Sequence, residues 1–157
     1  LMSNTRFSVP GDRSFLRADL VYERPGLIGQ VLFARTDIPQ GVVIGCLTPG
    51  RPVALPIDAS GQVDYGPWAS AQTIDLMLTP DALYCLVKDF GERGPHGADL
   101  INHSCTPNCE VEARLLVRTA RAIAAHEELF VDYLDSQLTI YKEGIPCLCR
   151  PRCPTVI

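Results

Sequence analysis

An eight-residue run, Asn102-His103-Ser104-Cys105-Thr106-Pro107-Asn108-Cys109, is the densest chemistry in this chain. Asparagine and histidine can each offer donors and acceptors to a polar ligand. A cysteine thiolate can hold a metal ion. Pro107 restricts Thr106 and stiffens the run. The plainer alternative is a polar turn with two core cysteines.

A second run is Glu127-Glu128-Leu129-Phe130-Val131-Asp132-Tyr133. As a strand, it sends Leu129 and Val131 to one buried face. Asp132 and Tyr133 then stand at the strand end, where a tyrosine hydroxyl can face a pocket. Simple core packing of the tyrosine is the alternative. The third run is Cys147-Leu148-Cys149-Arg150-Pro151-Arg152-Cys153. Two cysteines one residue apart cannot easily close a disulfide with each other. They can share a metal, and three thiolates need a fourth ligand to complete tetrahedral zinc. A reduced, cysteine-rich tail is the alternative. The seven cysteines, at 46, 85, 105, 109, 147, 149 and 153, are an odd and clustered set. That set fits metal ligation better than a secreted disulfide framework.

These residues need elements to place them. Gln30–Ala34 and Val42–Ile44 read as strands, with a type I turn at Ile38-Pro39-Gln40-Gly41 between them. Residues 48–68 hold several prolines and glycines and read as loop with short strands. Leu76–Leu78 and Leu83–Val87 are further strands, and Phe90–Gly97 is a loop. Glu110–Val117 reads as a hairpin, Glu128–Tyr133 as a strand and Asp135–Lys142 as a short helix. Short strands parted by Gly/Pro turns predict a mainly β domain with short helices, built of small sheets. One weak internal echo is present, with two similar hairpins by chance as the alternative. Ala34–Ile44 and Thr119–Leu129 share a strand-turn-strand pattern, with Ile38 matching Ile123 and His126 falling where Gly41 sits. Histidine enters left-handed backbone more readily than most residues.

Composition narrows the class. At 157 residues and 46% hydrophobic, the chain is long enough to bury a core and too apolar for disorder. No apolar run is long enough for a membrane helix, and no signal-peptide pattern opens the chain. An intracellular site is expected: nucleus in a eukaryote, cytoplasm in a bacterium. The net charge of -4 argues against direct nucleic-acid binding and for a basic peptide partner. The two lysines among fourteen basic residues are read as lineage bias.

Together the three runs resemble the SET domain of protein-lysine methyltransferases. That family carries an NHSCxPN segment, then a GEEL-type turn and a strand ending in Asp-Tyr. Many members add a post-SET cysteine cluster. Ala34, the Asp37-to-Gly41 turn and Ile44 resemble the family's first hairpin. The likeness covers roughly 27–153 and is weakest over 45–98. It divides the chain into a flank at 1–26, a SET domain at 27–140 and a zinc-binding tail at 141–157.

The resemblance implies a β-clip-like fold, with the eight-residue run and the Tyr133 segment forming a C-terminal pseudoknot. It implies S-adenosylmethionine as cofactor and methyl transfer to a lysine amine of a basic protein or peptide, such as a histone. Gly29, Gln30 and Val31 would lie along the cofactor's methionine part through their backbone. Asn102 and His103 would hold its amino and adenine parts. Tyr133 would be the catalytic tyrosine beside the cofactor. Cys105, Cys147, Cys149 and Cys153 would share one structural Zn2+, with Cys109 in reserve. The chain departs from the family at Val31 and His126, where glycine is usual. It departs at Asp99, where arginine is frequent, and in a tail spacing one residue short, with Arg150 for glycine. The departures at Val31, Asp99 and His126 keep open a catalytically weak SET-like binding module, and the poor match over 45–98 keeps open a SET-fold enzyme for a small molecule; a zinc-stabilised module without cofactor is a further alternative.

Overall fold

Two hairpins pack against each other about a local pseudo-twofold axis, and both pieces of the sequence echo lie there. The computed structural model describes residues 15–133 and 138–139, apart from 27–28, 70, 89, 91–93 and 113–114. Ile38 and Ile123 exchange both backbone hydrogen bonds, at 2.8 Å each. Gly41 N–H donates to Thr119 O at 2.9 Å, and His126 N–H donates to Ala34 O at 2.7 Å. Thr119 N–H donates to Val42 O, and Ala34 N–H donates to Glu127 O. Each bond has its mate in the other hairpin, at the matching position. The two turn residues also share left-handed backbone, with φ of 85° at Gly41 and 67° at His126.

His126 occupies this glycine-type position with a partner outside its own turn. Its Nδ1 lies 3.0 Å from the Tyr22 hydroxyl. A left-handed residue with a Cβ costs about 1–2 kcal/mol, and a β-branched one is worse still. Histidine already carries the Cβ cost, so His126→Val is expected to lower stability by about 1 kcal/mol through its β-branch and the lost Tyr22 bond, and His126→Gly by clearly less. Urea denaturation of the two variants would check that order.

The strands are short, and twelve are seen among the described residues. They are β1 (Phe15–Leu16), β2 (Val21–Pro25), β3 (Gln30–Ala34), β4 (Val43–Cys46), β5 (Arg51–Pro56) and β6 (Gln72–Leu78). There follow β7 (Ala82–Lys88), β8 (Asn102–His103), β9 (Cys109–Val111), β10 (Leu116–Thr119), β11 (Phe130–Val131) and β12 (Leu138–Thr139). One sheet runs β1-β4-β10-β9, another β12-β6-β7-β5, and two pairs are β2-β3 and β11-β8. All pairings are antiparallel except β8 with β11. Short 3-10 turns at Gly66–Trp68 and Gly97–Leu100 are the helical segments among the described residues. The mainly β expectation holds.

Three elements differ from the sequence expectation in detail. β5 is a full strand although it contains Pro52 and Pro56. It is the outer strand of its sheet, where a missing N–H removes no ladder bond. β6 begins four residues before the expected Leu76 and bulges between Asp75 and Met77. The helix expected over Asp135–Lys142 is overturned at its centre, where Leu138 and Thr139 pair with Ile74 and Thr73 as β12. The edge of β6 offers a ladder there, and tertiary pairing overrides local preference. The rest of that segment lies outside the described residues.

The core forms between the hairpins and the β1-β4-β10-β9 sheet. Leu32, Ala34, Ile38, Ile44, Ile123 and Leu129 are all buried there. After the exposed Gln30, β3 is buried at every position, so neighbours cover both its faces. A smaller cluster of Leu55, Leu83, Cys85 and Val87 sits under the β5-β7 ladder. Residues 15–25 supply β1 and β2, which pair with β4 and β3.

Candidate functional site

The parallel pair β8-β11 brings two of the chemical runs side by side. Phe130 stands opposite Asn102, and Val131 opposite His103. Ser104 N–H continues the pairing by donating to Val131 O at 3.0 Å. The Ser104 hydroxyl then accepts Thr106 N–H at 3.0 Å, which turns the chain at Thr106-Pro107 toward β9. Asn108 closes the arrangement. Its Nδ2 donates to Glu128 O at 2.7 Å, and its Oδ1 accepts Phe130 N–H at 2.8 Å. One side-chain amide thus substitutes for a strand neighbour along 128–130. β11 is shorter than the expected Glu128–Tyr133 strand because this amide, and not a backbone, pairs its first part. Asn108→Ala would orphan two backbone groups in a buried place. A loss of about 2 kcal/mol is expected, readable by thermal or urea unfolding.

His103 and Tyr133 are locked to each other. His103 Nδ1 accepts Tyr133 N–H at 3.0 Å. That bond places the proton of the neutral ring on Nε2, which lies 3.5 Å from Cys105 Sγ. Burial pushes the His103 pKa down, and the Asp132 charge only partly opposes it. The 3.7 Å approach of Asp132 to Nδ1 is therefore not an ion pair, since that nitrogen is already an acceptor. The Tyr133 side chain is buried, and its hydroxyl donates to Ile101 O at 2.7 Å. The ring centroid lies 5.2 Å from that of His103.

Asn102 and the middle of β3 both meet the 128–129 segment. Asn102 Nδ2 donates to Glu128 Oε1 at 3.0 Å. Glu128 bridges to Phe33 of β3, and Leu129 N–H donates to Leu32 O at 2.9 Å. Gly29, with φ of 68°, ends the β2-β3 turn, and a Cβ there would meet nothing within 4 Å. Val31, a departure from the family pattern, is 3% exposed. Its methyls press on Gly26, where an added Cβ would come within 2.8 Å of Val31 Cγ1. A glycine across the hairpin thus houses the side chain that the usual glycine would lack.

Asp99, another departure, has a buried cation of its own. Lys88 Nζ lies 2.6 Å from Asp99 Oδ1, with side chains only 2% and 0% exposed. Thr48 adds its hydroxyl at 2.6 Å and its N–H at 3.1 Å to Oδ2. Burial holds the Lys88 pKa below its usual range, and Asp99 opposes that shift. The pair anchors the Gly97–Leu100 turn, which leads directly into Asn102. Sequence reasoning did not find Lys88. Its signal was a lysine at the end of the apolar run Leu83–Val87.

The proposed metal ligands divide. Cys105 is half-buried beside His103. Cys147, Cys149 and Cys153 lie outside the described residues. Among the described residues no cluster of three or more His, Cys, Asp or Glu is placed to hold a metal. Cys109 lies in the hydrophobic core, where burial pushes its thiol up to about 12. A thiol held protonated there is a poor substitute for Cys105.

Comparison with known proteins adds to this geometry. Histone-lysine N-methyltransferase ash1 of Drosophila melanogaster is 38% identical over 87 residues, covering 47% of this chain and 4% of that protein. The H3 lysine-4 specific histone-lysine N-methyltransferase of Yarrowia lipolytica is 44% identical over 64 residues, covering 36% of this chain and 5% of that protein. A protein of the same description from Mycosarcoma maydis is 40% identical over 76 residues, 43% of this chain and 5% of its own. The chain spans about a twentieth of the length of these relatives. The SET-domain family model matches residues 29–134, from the open Gly29 turn through the β8-β11 pair to just beyond Tyr133. Since that match takes in more than half of the chain and every residue of the β8-β11 site, this chain belongs to the SET-domain family.

Proposed function

We propose that this chain binds S-adenosylmethionine and transfers its methyl group to a lysine side-chain amine of a protein. The observation that carries this reading is the β8-β11 pair, which holds Asn102, His103 and Tyr133 in one interlocked unit. The residues fit the cofactor in two respects. Space is open above Gly29. Asn102 is half-buried, and its Oδ1 takes no hydrogen bond from any described residue, which leaves an acceptor to offer a ligand donor. The Gly29–Val31 backbone, Asn102, His103 and Tyr133 would hold the cofactor, which supplies an electrophilic methyl on a sulfonium.

Tyr133 would do the positioning. Its proton is committed to Ile101 O, so its oxygen meets the reacting groups as an acceptor. An acceptor there can orient the amine and make weak C–H···O contacts to a methyl group. The amine must be neutral, although a free lysine has a pKa of about 10.4. A dry channel and a nearby positive charge both lower that value. Correct alignment of the reactants then supplies most of the rate gain. Cys105, with Cys147, Cys149 and Cys153, would hold one zinc ion and tie the tail to the site. The His103 Nε2–H facing Cys105 suits a thiolate ligand.

The net charge of -4 favours a basic substrate. The names of the relatives point to histones, which would place the action in a nucleus. The test is incubation with S-adenosylmethionine and either histones or total lysate protein, read by mass spectrometry. A mass gain of one or more methyl groups on lysine is expected. Cofactor binding without a methylated product in any pool would leave a binding module instead. Metal analysis should give about one zinc per chain after chelator-free purification; a negligible content would refute the zinc site.

A further inference from the structure

The adjacent glutamates of the 127–129 segment are used differently. Glu127 closes its own turn: its carboxylate takes Ala124 N–H and pairs with Arg121. Glu128 has no ion-pair partner among the described residues. Among the described residues its one side-chain hydrogen bond is from Asn102 Nδ2, at 3.0 Å. Its backbone is pinned on both sides, by the bridge to Phe33 and by Asn108 on its carbonyl. The half-buried carboxylate therefore starts from a fixed point between β3 and β8.

That contact decides which way the Asn102 amide faces. An ionised carboxylate only accepts hydrogen bonds, so the amide nitrogen must face Glu128 and the amide oxygen must face away. Without the carboxylate, the amide could rotate and present N–H groups to the ligand instead. We propose that Glu128 is a positioning residue: it holds Asn102 with its oxygen toward the ligand, and so selects a ligand that brings a cationic N–H donor there. This inference builds on the cofactor reading above, in which the donor is the α-ammonium of S-adenosylmethionine.

The test compares S-adenosylmethionine with 5′-methylthioadenosine, which keeps the nucleoside and lacks the amino-acid end. Binding of both is measured by calorimetry to wild type, Glu128→Ala, Glu128→Gln and Asn102→Ala, with melting temperatures in parallel. Glu128→Ala should weaken S-adenosylmethionine by about tenfold to a hundredfold, the range for a hydrogen bond to a charged group. It should leave 5′-methylthioadenosine unchanged. Glu128→Gln keeps an acceptor for Asn102 Nδ2 and should recover most of the loss. In the Asn102→Ala background, Glu128→Ala should add little, since the two act as one unit. Equal weakening of both ligands, no weakening of either, or a Gln variant as poor as Ala would overturn the role of Glu128. A wild-type chain that binds neither ligand would instead overturn the cofactor reading itself.

Discussion

Lys88→Met is expected to destabilise the folded chain by about 3–5 kcal/mol, the usual cost of leaving one partner of a buried ion pair alone. The Asp99 side chain is fully buried, so water cannot replace the lost ammonium. Thr48 still supplies two hydrogen bonds, which soften the loss without neutralising the charge. Methionine matches the length of the lysine stem, so packing is largely kept. The charge is then the main variable. The double variant Lys88→Met/Asp99→Asn separates charge from shape. An asparagine oxygen can still accept from Thr48, and no buried charge remains. Removing both charges of a buried pair is often near neutral, so the double variant should recover at least half of the loss. Urea unfolding of the two variants measures this. A double variant no more stable than Lys88→Met would show that the pair contributes through packing alone. Because Asp99 anchors the turn leading into Asn102, the single variant should also weaken ligand binding.

Tyr133→Phe is expected to lower methyl transfer by about a hundredfold or more, comparable to removing one preorganised polar group from other sites. The substitution removes one oxygen and keeps the ring against His103. It also removes the Tyr133 hydroxyl donor from Ile101 O, the side-chain donor to that carbonyl among the described residues. A stability loss of about 1 kcal/mol is therefore expected as well. The two effects separate by assay. Turnover at saturating cofactor reads the chemical role, and the melting temperature reads the Ile101 bond. Wild-type turnover with a lowered melting temperature would make Tyr133 structural and move the chemistry elsewhere in the pocket.

Much of this molecule was legible in the sequence where local chemistry and local geometry agree. The echo between Ile38 and Ile123 was visible because both hairpins need the same apolar residue before a left-handed turn residue. The pairing of two chemical runs was visible in outline because Asn102, His103 and Tyr133 come from short, dense runs, which the fold brings side by side. What escaped detection depends on long-range pairing. The prolines of β5 look like breakers until an outer position makes them harmless. Leu138 and Thr139 carry no sign of the β6 edge they join. The Lys88–Asp99 pair spans a loop, and nothing in either neighbourhood names the other. Val31 looked like an obstacle because its accommodation lies at Gly26, on the facing strand side of the hairpin. Asn108 lay within the noticed run, yet its role as a substitute strand neighbour needs the 128–130 backbone beside it.

The proposed cofactor site joins the Gly29 turn to the β8-β11 pair. Titration calorimetry of the wild-type chain with S-adenosylmethionine, beside Asn102→Ala, tests it most directly. One-to-one binding in the micromolar range is expected, weakened strongly in the variant. No binding heat and no thermal shift with cofactor in a folded wild-type chain would contradict it.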